Sequence, residues 1–324
     1  MAIVEDRSAP APALAGEAAA PRAWRPAPLL TASAGLHAAV AAALAVAPHH
    51  WRLAVAALAG NHTLLAGVGL WPRSRLLGPN LSRFSGAAAR RGAVALTFDD
   101  GPDPRVTPPV LDCLERYGVR ATFFCIGRRA ENHPELVAEM VRRGHRVENH
   151  SYSHPHAFAC YLPAAMRREV RRAQEALARA GGVRPRWFRA PAGFRGPLLE
   201  RELAAAGLHL ASWTRRGFDT VARDPGRVAA RLLKGAAGGD VLLLHDGSAA
   251  RDRGGAPVVL AALPRLLDEL ARRGLRAVPL PMPAGAAGAG DGDDRNGDED
   301  RDDRNGDDDR DGDDDRDDRH GESS

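Results

Sequence analysis

From residue 93 to residue 281 short apolar runs alternate with longer amphipathic ones, and this alternation constrains the fold more than any other feature of the chain. The apolar runs at 93–98, 121–126, 146–150, 186–190, 208–213, 240–245 and 275–280 have strand length. Between them, 107–117, 134–143, 164–180, 196–206, 225–235 and 257–272 carry apolar residues three and four apart, as in Val137, Met140 and Val141 or Leu263, Leu266, Leu267 and Leu270. That spacing puts them on one face of a helix. Gly118, Gly144, Gly181, Gly207 and Gly274 stand where the helices should end, since glycine accepts the left-handed C-terminal position. Strand–helix repetition predicts an α/β domain with a parallel sheet. Seven strands suit a barrel or an open doubly wound sheet, and both place chemistry at the C-terminal strand ends.

The flanks differ in kind. Residues 1–28 are rich in Ala and Pro and read as a disordered leader. Residues 29–47 contain no charged residue and are interrupted only by His37; residues 53–71 form a second such run, softened by Asn61 and His62. Each is long enough to span a bilayer. A cleaved signal peptide fits poorly, because the first run starts late and a second follows at once. Arg7, Arg22 and Arg25 precede the pair, Arg73, Arg75, Arg83, Arg90 and Arg91 follow it, and the loop between has only Arg52. The positive-inside rule then predicts a transmembrane hairpin over 29–71 with the following domain on the cytoplasmic face. If only one run spans, that domain faces outward. Residues 72–92 read as a linker, 93–281 as the α/β domain, and 282–324, rich in Asp, Arg and Gly, as a disordered solvating tail.

The net charge of +4 conceals an asymmetry. From Asp291 onward there are 18 acidic residues and 6 Arg, which leaves 39 basic against 23 acidic in the 290 residues before it. A basic body suits an anionic partner such as a membrane surface or a phosphorylated substrate. No zinc-finger spacing, RNA-binding signature or basic helix with aromatics is present, so nucleic acid is not expected as a partner. The three cysteines, Cys113, Cys125 and Cys160, make no disulfide framework, and the first two fall on apolar elements as core residues.

Chemistry-bearing residues gather at the strand ends. The first strand stops at Asp99 and Asp100, before Gly101-Pro102 breaks it. Adjacent residues of an extended strand point in opposite directions, so one carboxylate could hold a metal while the other stays free as a base. The third strand ends at His150, with His154 four residues on, a pair that converges on a metal if the segment forms a helical turn. Two His and one Asp leave coordination positions open for water and substrate. HxxxH also arises by chance in a chain with 12 His; His49, His50, His62, His133, His145, His156 and His209 read as surface or structural. Arg189, after Trp187-Phe188, could pair with the free carboxylate. His245 closes a fully apolar strand as a general-acid candidate, with Asp219 placed to raise its pKa.

Together these residues resemble the polysaccharide deacetylase family, the NodB-homology carbohydrate esterases of family 4. The resemblance covers roughly residues 92–281 through five motifs in order: Thr97-Phe98-Asp99-Asp100, His150 to His154, Arg189-Ala190-Pro191-Ala192-Gly193, Trp213 to Asp219, and Leu243-Leu244-His245. It implies a distorted (β/α)7 barrel and metal-dependent hydrolysis of an N-acyl amino sugar. It makes Asp99 the general base toward the attacking water, and Asp100, His150 and His154 the ligands of one divalent ion, Zn first, with Co, Ni or Mn as alternatives. It has Arg189 hold Asp99, Asp219 tune His245, and His245 protonate the leaving amine. The backbone N–H of Ala192 serves the oxyanion, and Pro191, Gly193 and Trp213 line the substrate pocket.

Two departures stand out. Ala192 replaces a usual aromatic, while Arg216 and Thr220 replace the fourth motif's usual first Asp and its Trp. An aromatic-lined polymer groove is therefore weakened, and Arg215 and Arg216 would favour an anionic substrate. The expectation is a membrane-tethered deacetylase of an amino-sugar glycan, either polymer or lipid-linked. The rival from another class is a non-catalytic sugar-binding or scaffold protein with a decayed barrel.

Overall fold

A computed structural model describes residues 20–283, so most of the expected leader and nearly all of the expected tail lie outside the described residues. Two helices come first, α1 (Pro28–Val46) and α2 (Trp51–Gly69), and a short α3 (Ala87–Arg90) follows. The barrel then runs β1 (Ala93–Asp99), α4 (Thr107–Arg116), β2 (Thr122–Cys125), α5 (Gly127–Asn132), α6 (Pro134–Arg142) and β3 (Arg146–Asn149). It continues with α7 (Pro163–Gly181), β4 (Trp187–Phe188), α8 (Leu199–Ala205), β5 (His209–Leu210) and β6 (Arg215–Arg216). It closes with α9 (Pro225–Leu233), β7 (Val241–His245), α10 (Val258–Arg272) and β8 (Arg276–Val278).

All strand pairs are parallel, in the order β5-β4-β3-β2-β1-β7-β6, with β8 also on β1. The sheet curls into the distorted (β/α)7 barrel and is not closed by strand pairing between β5 and β6. Strand β1 is buried along its whole length, and its alternation sorts side chains between two cores. Val94, Leu96 and Phe98 face the helices, with Phe98 stacked 4.9 Å from Phe123. Ala93 and Ala95 face the barrel interior among Phe124, Trp187, Trp213 and Leu243. The same two-residue period carries Thr97 and Asp99 to the interior. In β7 it does the same for Val241, Leu243 and His245. The register sets Asp99 beside His245 on adjacent strands. Full burial of a ring such as Phe98 contributes roughly 1.5–3 kcal/mol, so slipping this register by one residue would be strongly unfavourable.

Three expectations need correction. The β6 pairing at Arg215–Arg216 adds an eighth strand among the described residues. Helix α7 runs through Gly181, and Gly182 is its left-handed cap at φ 70°. Residues 72–92 are a structural strap as well as a linker. The N–H of Leu81 donates to the Leu210 carbonyl (3.0 Å), the Ser212 N–H donates to the Leu81 carbonyl (2.8 Å), and the Phe84 N–H donates to the Gly239 carbonyl (2.9 Å). The strap thereby occupies the seam that β5 leaves open.

Helices α1 and α2 pack on each other through the residues that break their apolar runs. Asn61 Nδ2 donates to Ser33 Oγ (2.9 Å), and the His37 and His62 rings meet edge-on at 5.3 Å. Among the described residues only α1 is long and apolar enough to cross a membrane, so the expected pair of spans reduces to one such helix. Before α1, the Arg22 N–H donates to the Ala204 carbonyl (2.8 Å), and its guanidinium binds Glu200 (2.9 Å) and the Leu208 carbonyl. After α2, the Gly69 carbonyl accepts the Arg195 N–H (3.1 Å). Cys113 and Cys125 are buried as expected, and Cys160 is exposed.

Candidate active site

The C-terminal ends of β1, β3, β4 and β7 converge on a cavity of about 300 Å³ lined by Asp99, Asp100, His150, His154 and His245. Asp99 enters it from an ordinary strand. Asp100 does not alternate to the opposite face as expected of extended backbone: its φ of 72° is left-handed and returns its carboxylate to the same cavity. Ser248, unremarked in the sequence, donates to Asp100 Oδ2, and Arg129 Nη1 holds the Asp100 carbonyl (2.8 Å) together with that of Gly247 (2.9 Å).

The histidine pair is presented by a loop, not by the expected helical turn. Ser151 and His154 both have positive φ, 62° and 54°. Local bonds hold this shape: the Ser151 N–H donates to Asn149 Oδ1 (2.9 Å), and the His154 N–H to Ser151 Oγ (3.1 Å). Glu169, on α7, accepts the N–H groups of Tyr152 (3.1 Å) and Ser153 (2.8 Å) and the Ser153 hydroxyl (2.8 Å). Nothing in the spacing pointed to Glu169, because its partner is a loop folded against it.

His150 Nε2 lies 3.2 Å and His154 Nε2 3.3 Å from Asp100 Oδ1. That oxygen is buried and has no hydrogen-bond partner. The three ligand atoms all lie within 4.8 Å of one another. His150 Nδ1 donates to the Arg189 carbonyl (2.8 Å), which fixes the tautomer and leaves Nε2 as the free donor atom. Burial would raise the Asp100 pKa, but contact with His150 and the charges of His150, His245 and His154 hold the carboxyl below its usual range. Burial, then the charge of His150, push His154 down to about 4, so it stays neutral. Burial works against a charged His150, but Asp99, Asp100 and the bond to the Arg189 carbonyl raise its pKa. A divalent cation would take the place of that proton on Nε2, and three converging donor atoms with an orphaned oxygen among them fit one.

Asp99 has a partner of its own, although its Oδ2 lies 3.8 Å from His150 Nε2. Arg189, fully buried, donates from Nη1 to Asp99 Oδ1 (2.7 Å) and Thr97 Oγ1 (2.9 Å), and from Nη2 to the Ser212 carbonyl (2.9 Å). Its guanidinium lies over the Phe124 ring at 4.0 Å. His245 Nδ1 donates to Asp219 Oδ1 (2.9 Å), whose other oxygen accepts the His245 backbone N–H (2.7 Å). Burial works against the charged His245, but the hydrogen bond and charge of Asp219, with Asp99 and Asp100, raise its pKa.

Ala192 lines the cavity at φ 54° and Gly193 lines it at φ 78°. A Cβ on Gly193 would meet Trp213 at 2.4 Å, so that wall requires glycine on both counts. Trp213 lines the cavity; Pro191 is buried in the preceding turn and is not among the lining residues. Arg216 and Thr220 line it, whereas Arg215 turns away to Asp240 (2.6 Å). Exposed His156, read as surface or structural, stands at the mouth with its ring 6.2 Å from that of His154. Asp246, next to His245, is buried and accepts from the Thr107 hydroxyl (2.6 Å); burial pushes it up to about 7.

Known proteins are similar to this chain in sequence and in fold. A polysaccharide deacetylase family model matches residues 86–211. A chitooligosaccharide deacetylase from Bradyrhizobium sp. (strain ANU 289) is 38% identical over 195 residues, 58% of this chain and 89% of that relative. A peptidoglycan-N-acetylglucosamine deacetylase from Bacillus cereus is 33% identical over 187 residues, 57% of this chain and 84% of its own. A solved structure of a family 4 carbohydrate esterase from Streptomyces lividans, in complex with acetate, superposes with a TM-score of 0.52 at 36% identity, over 57% of this chain and 91% of that one. The chain belongs to the polysaccharide deacetylase family, as a metal-dependent amidohydrolase of the carbohydrate esterase 4 type.

Proposed function

We propose that this enzyme removes the N-acetyl group from N-acetylglucosamine-type glycans, with Asp100, His150 and His154 holding one divalent ion and Asp99 and His245 moving the protons. The observation that carries this reading is the division of the two neighbouring carboxylates: Asp100 Oδ1 faces two imidazole nitrogens, while Asp99 is tied to Arg189. When bound, the ion supplies Lewis-acid polarisation of the acetyl carbonyl and a more acidic water; the all-nitrogen-and-oxygen donor set accepts Zn, Co, Ni or Mn.

The chain's own residues do the rest. Asp99, held in place by the Arg189 guanidinium, takes the proton of the attacking water. Water oxygen bonds to the acyl carbon, and the backbone N–H of Ala192 donates to the developing oxyanion. His245, its Nδ1 committed to Asp219, gives a proton to the amide nitrogen as the C–N bond breaks. Acetate and a free amine leave. Gly193 and Trp213 shape the wall against which the sugar rests.

The relatives named for chitooligosaccharide and peptidoglycan support an amino-sugar glycan as substrate. A lipid-linked glycan at a membrane is the second reading, favoured by α1 and by the basic flanks. In it α1 tethers the enzyme to the cell membrane. A complete set of proton-transfer and ligand side chains argues against a non-catalytic binding protein.

The test is Asp99→Asn. Release of acetate should fall by about 10²–10⁴-fold, with one divalent ion per chain still measured by elemental analysis. Undiminished activity would remove Asp99 from the role of base; loss of the metal as well would make it a ligand.

A further inference from the structure

Deacetylation accounts for the carboxylates and imidazoles of the cavity and leaves a cation on its wall without a use. Arg215 is fully engaged, by Asp240 (2.6 Å) and by the carbonyls of Lys234 and Gly235. Arg216 instead lines the cavity, and its Nε is buried with no hydrogen-bond partner. No carboxylate among the described residues forms an ion pair with it. Its guanidinium stands 5.7 Å from the Trp213 ring and 5.1 Å from that of Phe218. Phe218 is 46% exposed and has a φ of 58°, a conformation that bulky residues rarely take and that clusters at functional sites.

The same ring leads out of the cavity. Arg231 approaches Phe218 at 5.5 Å, and it lines a second, larger groove of about 840 Å³ with Arg223, Arg227 and Arg253. The two carboxylates of that groove already serve the backbone. Asp224 Oδ1 accepts the N–H groups of Gly226 (2.8 Å) and Arg227 (3.2 Å), and its other oxygen lies 3.8 Å from Arg227 Nε. Asp252 Oδ1 accepts those of Gly254 (2.8 Å) and Ala256 (3.0 Å). A half-buried guanidinium with an unbonded N–H is unfavourable unless a ligand completes it, and its planar fork matches a carboxylate or a phosphate.

We propose that the preferred substrate carries an oxyanion, carboxylate or phosphate, close to the acetylated amine, and that Arg216 reads it. The glycan passes Phe218, and further negative charges along it meet the arginines of the second groove. This inference rests on the deacetylase reading and names the substrate class within it.

The experiment compares acetate release by the full-length, Zn-loaded enzyme from three substrates. These are neutral N-acetylchitotetraose, a muramic-acid-containing oligosaccharide with its lactyl carboxylates, and N-acetylglucosamine 1-phosphate. The expected result is a kcat/KM about tenfold or more higher on an anionic substrate, reduced by added NaCl. Preference for the carboxylate identifies a polymer source; preference for the phosphate identifies a sugar phosphate. Arg216→Leu should lower the anionic-to-neutral ratio about tenfold through KM, and Arg216→Lys should recover part of it. Equal kcat/KM on all three, or a ratio unmoved in Arg216→Leu, overturns the proposal while the deacetylase reading stands. If no substrate is hydrolysed, that reading falls. Calorimetric titration of Asp99→Asn with the same ligands still decides Arg216: tighter anionic binding supports its role, equal binding overturns it.

Discussion

Asp219 spends both of its oxygens on one residue, gripping the ring and the backbone N–H of His245. Its carboxylate is the largest of the influences that raise the His245 pKa against burial. A general acid must be protonated to act, so its pKa sets the high-pH limit of activity. Asp219→Asn should lower that pKa and move the falling alkaline limb of the kcat profile toward lower pH. The loss should be greater at pH 8 than at pH 6, read from a pH–rate series. An unmoved limb would limit Asp219 to orienting the ring. The nature of these side chains was legible in the sequence, since a His that closes an apolar strand has few structural uses. The conformation of Asp100 was not. Alternation predicts opposite faces for Asp99 and Asp100, and only the left-handed turn after the strand brings both into one cavity.

Elements contribute by what they brace. Helix α7 buries Met166, Val170, Ala173 and Leu177 and presents Glu169 to the loop that carries the histidine pair. Removing that carboxylate should loosen His154 without touching a ligand. For Glu169→Ala we expect a 10–100-fold weaker metal affinity, as supporting groups around metal ligands usually give, measured by competition with a chelator. Unchanged affinity would make the loop self-supporting through Asn149 and Ser151. Strand existence was readable because two-residue and three-to-four-residue periods separate cleanly here. Strand β6 was not, since two arginines carry no strand pattern and pair with β7 only because the chain has already curled. The strap at 81–84 escaped for the same reason: its hydrogen bonds go to β5 and to the segment before β7, and no local signal records a distant seam.

At the scale of the whole molecule, the barrel and an apolar helix pair share one chain. The enzyme should sediment with membranes and be released by detergent rather than by 1 M-range salt, about 3 Å of Debye length; release by salt alone would mean that α1 does not insert. Docking of Arg22 on α8 and of Gly69 on Arg195 has a topological consequence. Both ends of the helix pair are moored to one globular body, so the polypeptide must come back to the side it left. A crossing by α1 alone would carry Arg22 to the far side and tear it from Glu200. Tags at the two chain termini that report opposite compartments would show such a crossing; tags in the same compartment would show that Arg22 keeps its place on α8 and that α1 lies along the membrane without crossing it. A processing protease that cut between α1 and α2 would release Arg22 with the excised peptide and strip Glu200, 6% exposed, of its cation. In this protein the segment that resembles an address label is also a piece of the fold.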